Sequence, residues 1–175
     1  MRRVVLFATT AVLSFAGLVP GSLAEDSGPD EPGPSGGGFP PCTITGTKDD
    51  DVLEGTNHDD VICGRRGNDR LKGFDGDDYL IGGRGRDQLT GNSGMDWFFG
   101  LAGRDTMNGG ADHDEVIGGT GPDTHNGGGG DDFLNAIDGV NGNDSVDGGP
   151  GLSDIACVDP GDTNINTEGA DCAIP

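Results

Sequence analysis

Aspartate returns every nine residues along most of this 175-residue chain. Eleven stand in one file: Asp51, Asp60, Asp69, Asp78, Asp87, Asp96, Asp105, Asp114, Asp123, Asp132 and Asp144. No nucleophile–base pair accompanies them, and no convergent pair of acids lies outside the period. Acid–base and nucleophilic catalysis therefore have no set of partners here. A regular row of carboxylates can, however, hold cations. Calcium takes roughly six to eight oxygens and accepts carboxylate and backbone carbonyl together. Magnesium needs a tighter octahedron and keeps its waters, and zinc asks for a cluster of His or Cys, whereas His58 and His113 in the turns are isolated.

The elements that position the row follow from the same period. Ten nine-residue units run without a gap from Gly46 to Asn135, and two more start at Gly139 and Gly148 after a three-residue insertion (Ala136, Ile137, Asp138). Glycine opens all twelve units and stands at position 4 in nine, and aspartate fills position 6 in eleven. Position 8 is apolar in eleven, from Leu53 and Ile62 to Val146 and Ile155; His125 is the exception. Only position 8 is consistently apolar, so positions 7 to 9 form a short strand with one inward side chain. The glycines then reverse the chain. Two units make a coil, and six coils stacked about 4.8 Å apart make an all-β solenoid. Stacking sets every position-6 aspartate against the one eighteen residues on. Like charges that close repel by about 1 kcal/mol in water and by more at a protein surface.

The pattern closely resembles the nonapeptide Gly-Gly-x-Gly-x-Asp-x-U-x of the RTX, or haemolysin-type, calcium-binding family, over residues 46 to 156. The resemblance implies a right-handed parallel β-roll with Ca2+ between turns on the same side, held by the position-6 aspartates and turn carbonyls. Same-side neighbours give about eight sites, and a ninth joins Asp123 to Asp144 if the insertion loops out. Three departures bear on this count: Asp49, His58 and Asp112 replace the position-4 glycine, which points to weaker sites there. In the last unit Ser153 takes position 6, and a one-residue shift would let Asp154 serve.

Composition sets the surroundings. The net charge is −21, and removing Arg2 and Arg3 with a leader makes it −23, which repels nucleic acid and anionic membranes and attracts cations. Residues 1–24 read as a secretory signal peptide: Arg2 and Arg3, an apolar run from Val4 to Val19, then Ser22-Leu23-Ala24. The run is short for a membrane anchor. Residues 25–41, rich in Pro, Gly and acid, read as a disordered linker, residues 42–156 as the calcium-binding roll, and residues 157–175 as a C-terminal cap with a disulfide. Thr43-Ile44-Thr45 reads as a degenerate first strand. The four cysteines allow three pairings, and neighbour pairing (Cys42 with Cys63, Cys157 with Cys172) is the expected one.

The two sheets differ outside. Odd-numbered units present nearly all polar residues at positions 7 and 9, Val52 aside, whereas even-numbered units present Val61, Cys63, Tyr79, Ile81, Trp97, Phe99, Ile117 and Phe133, broken by Glu115 and Asn135. This apolar, aromatic stripe is either a docking face for a twin subunit, another protein or a sugar, or a face covered by the linker (Phe39, Pro40, Pro41) or the tail. His125 is a polar flaw in the core, His58 and His113 stand isolated in turns, and Arg86 and Arg104 read as solvated charges that lower the local field. The functional expectation is a secreted, extracellular, non-catalytic protein that folds on binding calcium. The alternative is an adhesion or matrix module that docks through Tyr79, Trp97, Phe99 and Phe133.

Overall fold

The computed structural model describes residues 39–140 and 142–167. The leader (1–24), nearly all of the linker and Cys172 lie outside the described residues. The chain forms fourteen strands: β1 (Ile44–Thr45), β2 (Val52–Glu54), β3 (Val61–Arg66), β4 (Arg70–Asp75), β5 (Tyr79–Gly85), β6 (Gln88–Ser93), β7 (Trp97–Gly103), β8 (Thr106–Ala111), β9 (Glu115–Thr120), β10 (Thr124–Gly129), β11 (Phe133–Asn135), β12 (Ser145–Asp147), β13 (Ile155–Cys157) and β14 (Thr163–Ile165). They alternate between two seven-stranded parallel sheets, β1-β3-β5-β7-β9-β11-β13 and β14-β12-β10-β8-β6-β4-β2. This is a parallel β-solenoid of nonapeptide repeats with about seven turns rather than six. The extra turn comes from the two ends. Ile44 pairs with Ile62 to add β1, and Thr163–Ile165 pairs with Ser145–Asp147 to add β14 within the stretch read as the cap.

Register follows the period. Leu53 pairs with Leu71, Leu71 with Leu89, and Leu89 with Met107, eighteen residues apart each time. The facing sheet stacks Ile62, Leu80, Phe98 and Val116 in the same way. All these residues are buried, and they form a core one residue wide per strand. Parallel pairing leaves that file continuous because neighbouring strands are matched residue for residue. His125 takes its place in the file between Met107 and Val146, with both ring nitrogens buried and without a partner.

The last unit departs from the strict frame. β11 pairs with β13 so that Leu134 faces Ala156 and Asn135 faces Cys157. Ala156, not Ile155, is therefore inward, and Ile155 is 39% exposed. The residue added by this shift lies in the Gly148–Ser153 turn. In return Asp154 enters the aspartate file, and Cys157 lands on a covered position, only 4% exposed.

Two glycine positions show why the repeat tolerates so little there. A Cβ on Gly91 would lie 1.9 Å from Oδ2 of Asp96, so position 1 leaves room for the carboxylate of its own unit. A Cβ on Gly103 (φ +146°) would lie 1.5 Å from the carbonyl oxygen of Gly85, so position 4 is closed by the turn before it. That second contact explains two of the departures. Asp49 and His58 belong to the first two units, and among the described residues no earlier nonapeptide turn stacks on them. Asp112 accommodates its side chain by moving to φ 75°.

Candidate metal centre

The aspartate files are hydrogen-bonded ladders. In each, the backbone N–H of one position-6 aspartate donates to Oδ1 of the aspartate one coil later: Asp51 to Asp69, Asp69 to Asp87, Asp87 to Asp105 and Asp105 to Asp123, each at 2.8 Å. The opposite edge repeats this from Asp60 through Asp78, Asp96 and Asp114 to Asp132 at 2.8–2.9 Å. The insertion does not break the ladder, since Asp123 donates to Asp144 at 2.7 Å. Asp132 donates to Asp154 at 2.9 Å and Asp144 to Asp162 at 3.2 Å, which adds Asp154 and Asp162 to the eleven. Backbone bonds from the following residue to the aspartate carbonyl, such as Arg70 to Asp51 and Trp97 to Asp78, lock the same register.

The ladder uses one oxygen of each carboxylate and leaves the other. Oδ2 of Asp69, Asp78, Asp87, Asp96, Asp105, Asp114 and Asp132 is buried and has no hydrogen-bond donor. A buried carboxylate oxygen without a partner costs more than an ordinary missing bond. Burial pushes these groups up: Asp69, Asp96, Asp105 and Asp123 to about 7, Asp114 to about 8, and Asp78, Asp87 and Asp144 to about 6. Asp132 rises for the same reason. The ladder bond from the preceding coil opposes the rise, and neighbouring carboxylates add to it in most of these groups. These groups call for positive charge, either a proton or a cation.

The first coil differs. Oδ2 of Asp51 accepts from the Thr47 N–H at 2.5 Å and from its hydroxyl at 2.9 Å. Oδ2 of Asp60 accepts from the Thr56 N–H and hydroxyl at 2.7 and 2.9 Å. The eleven aspartates picked out by spacing thus all join the ladders, but the two in the first coil are satisfied by threonine at position 2. Sequence reasoning missed these two threonines, whose signal was a hydroxyl where later units carry glycine, arginine, asparagine or a bulky residue. It also missed a shorter ladder at position 5. There the N–H of Asn68 donates to Oδ1 of Asp50 at 2.8 Å and that of Met95 to Asp77 at 2.8 Å. These side chains accept from the coil after them, opposite to the position-6 direction.

The donor set suits a hard, oxygen-seeking ion. The carbonyls of Arg65 and Gly67 approach within 2.0 and 1.7 Å of where Cβ atoms would sit on Gly83 and Gly85. At position 1, a Cβ on Gly64 would meet both Oδ2 of Asp69 and the Gly82 carbonyl oxygen at 2.6 Å, and one on Gly109 would meet Oδ2 of Asp114 at 2.2 Å and the Gly127 carbonyl oxygen at 2.3 Å, so orphaned oxygens and carbonyls flank the same glycines. Among the described residues, no three His, Cys, Asp or Glu side chains converge on one point. A cation in these files would therefore draw on carbonyls as well as on carboxylates, which matches calcium and not zinc.

On the outer face of the first sheet, Tyr79 and Trp97 stack at 4.7 Å with their planes 15° apart. Phe39 meets Phe99 edge-on at 4.6 Å, and Cys42 is bonded to Cys63. The chain before β1 thereby lies over part of the stripe, and Ile81 is fully buried. Tyr79, Trp97, Ile117 and Phe133 remain half-buried. Cys157 is also disulfide-bonded.

These features define a parallel β-roll with paired acidic ladders. The family model for the RTX calcium-binding nonapeptide repeat matches four stretches, 43–71, 64–89, 90–124 and 109–136, which together cover more than half of the chain. The chain belongs to that family, whose β-roll is a calcium-binding module type and not an enzyme. No curated protein matches it.

Proposed function

We propose that this is a secreted, non-catalytic calcium-binding protein whose roll is completed by Ca2+ entering both aspartate ladders. The observation that carries the reading is the set of seven buried Oδ2 atoms without donors. Calcium supplies the charge that these oxygens lack. Within the repeats, from Asp51 to Asp144 and from Asp60 to Asp154, the ladders contain ten same-side neighbour pairs, and threonine satisfies the leading aspartate of two. The remaining pairs correspond to about eight ions. Binding and folding are then one event: the ion binds the stacked turns and not the open chain, and stabilises the roll by mass action. Low calcium inside a cell keeps the chain open for export through its N-terminal leader, and higher calcium outside closes it.

Circular dichroism of residues 25–175 should show coil in chelator and β structure in millimolar calcium, with calorimetry giving about eight ions per chain. Equal structure in both conditions would overturn the proposal. A second reading, adhesion through the stripe, is favoured by the half-buried Tyr79–Trp97 stack. Carbohydrate or protein binding that needs calcium and is lost in Trp97→Ala would support it, and undiminished binding would reject it.

A further inference from the structure

The two turn edges of the roll carry opposite charge beyond their ladders. Turns that lead from the first sheet to the second hold Lys48, Arg65, Arg66, Arg84, Arg86 and Arg104, with Asp49 and Asp50 in the first of them and Asp138 and Asp159 in the last two; between Gly64 and Arg104 they hold no acid outside position 6. Turns on the other edge hold no Lys or Arg, and outside position 6 they hold Asp59, Asp75, Asp77, Asp112 and Asp131. Six of the eight basic residues that follow the leader thus lie on one edge, and the other two, Arg70 and Lys72, start the adjoining sheet at β4. Lys48, Arg84, Arg86 and Arg104 are exposed. Register places Arg66 beside Arg84. Where this edge meets the second sheet, a groove is lined by Asp50, Asn68, Arg70, Arg86, Gln88 and Arg104. With calcium neutralising the ladder, this edge is a positive strip on a chain that is otherwise acidic.

We propose that this basic edge binds the chain's own acidic segment, residues 25–38. Three observations select it. The segment contains Glu25, Asp26, Asp30 and Glu31 and no basic residue. It ends beside the edge: Phe39 sits on Phe99, and the turn that carries Arg104 begins at the next residue, Gly100. It is held there, since the Cys42–Cys63 bond fixes the chain three residues past Phe39. From Glu31 to Phe39 is at most about 26 Å of extended chain, enough to cross the two rungs from Arg66 to Arg104 at about 4.8 Å each. Tethering gives the segment a high effective concentration, whereas a separate polyanion must approach a chain of strongly negative net charge.

This inference rests on the calcium reading, because the strip exists only where the odd turns are stacked. The contact is therefore gated: calcium assembles the edge, the edge collects the N-terminal segment, and stripping the ion releases both.

The test is amide NMR on residues 25–175 with calcium in excess, at about 0.01 M salt where charges act over long distances. Signals from Asp26 to Glu31 should show order parameters above about 0.6. They should fall to the values of an isolated 25–38 peptide in about 1 M salt, and also in the Arg86→Gln/Arg104→Gln variant with its roll signals intact. Peptide-like values in the parent, with the roll formed, overturn this inference and leave calcium binding standing. If the segment is free and added heparin shifts Arg86 and Arg104, the edge serves an external polyanion and the inference also falls. If calcium forms no roll, both readings fall.

Discussion

Replacing Asp96 with Asn separates the two roles of a ladder aspartate. Asn keeps an acceptor for the Asp78 N–H, now 2.9 Å from Oδ1, so the backbone register survives. It removes the charge at Oδ2, which is buried without a donor. Without calcium that charge opposes folding. The carboxyl is raised from 3.8 to about 7, chiefly by burial, so the folded state binds the proton more tightly than the unfolded one. Stability from this group is accordingly full below pH about 4 and is lost as pH rises through about 7. At pH 8 the penalty is on the order of a few kcal/mol, since each unit is worth about 1.4 kcal/mol. Asp96→Asn abolishes it, so acid-induced folding in chelator should begin at higher pH than in the parent. With calcium the sign reverses. In the proposed arrangement Asp96 borders two sites, and weakening each about tenfold removes about 3 kcal/mol of linked stability at saturation. The assay is circular dichroism read two ways: against pH in chelator and against calcium at pH 8. A variant that loses structure in both series, or whose calcium midpoint does not move, refutes the assignment of the orphaned oxygens to the ion.

Other consequences can be checked with the same purified chain. His125→Leu should raise the melting temperature in calcium, by about 1–3 kcal/mol of stability, because it replaces two unpartnered ring nitrogens in a 1% exposed site. A lower melting point would mean that the imidazole has a partner. Gly103→Ala should prevent or severely weaken roll formation, since its Cβ has only 1.5 Å to the Gly85 carbonyl oxygen and its φ is +146°. Native-like calcium-induced dichroism in that variant would contradict the stacking. Calcium affinity should fall as pH drops from about 7 to 5, because protons compete for carboxyls lifted to about 6–8, and uptake at pH 7 should release protons measurable in a weakly buffered titration. A pH-independent affinity would place the ion elsewhere.

The repeat made much of this legible. Aspartate at position 6 and one apolar residue at position 8 can be satisfied together only by a turn and a strand of fixed length, so local chemistry names the architecture. It also named the members of the two files, because stacking two units per coil leaves no choice of partner. The last unit was less legible. Spacing alone favours burying Ile155, but placing Asp154 on the ladder gives the Asp132 N–H its acceptor and covers Cys157. That choice depends on the coil beneath, which a linear frame does not include.

The sequence by itself determined the period, the acidic files and the hard-cation chemistry, because each is written within nine residues. Tertiary structure alone decided how the two oxygens of each carboxylate are used, since the donor to Oδ1 comes from a residue eighteen or more positions away. It also decided that Thr47 and Thr56 close the first rung, that Asp49 and His58 stand where no earlier nonapeptide turn among the described residues stacks on them, and that Phe39 meets Phe99 beside a basic edge. The physical reason is common to all four. A hydrogen bond, a steric contact or a ring contact depends on what the neighbouring coil or flanking segment places opposite, and that neighbour is distant in the chain but adjacent in the stack.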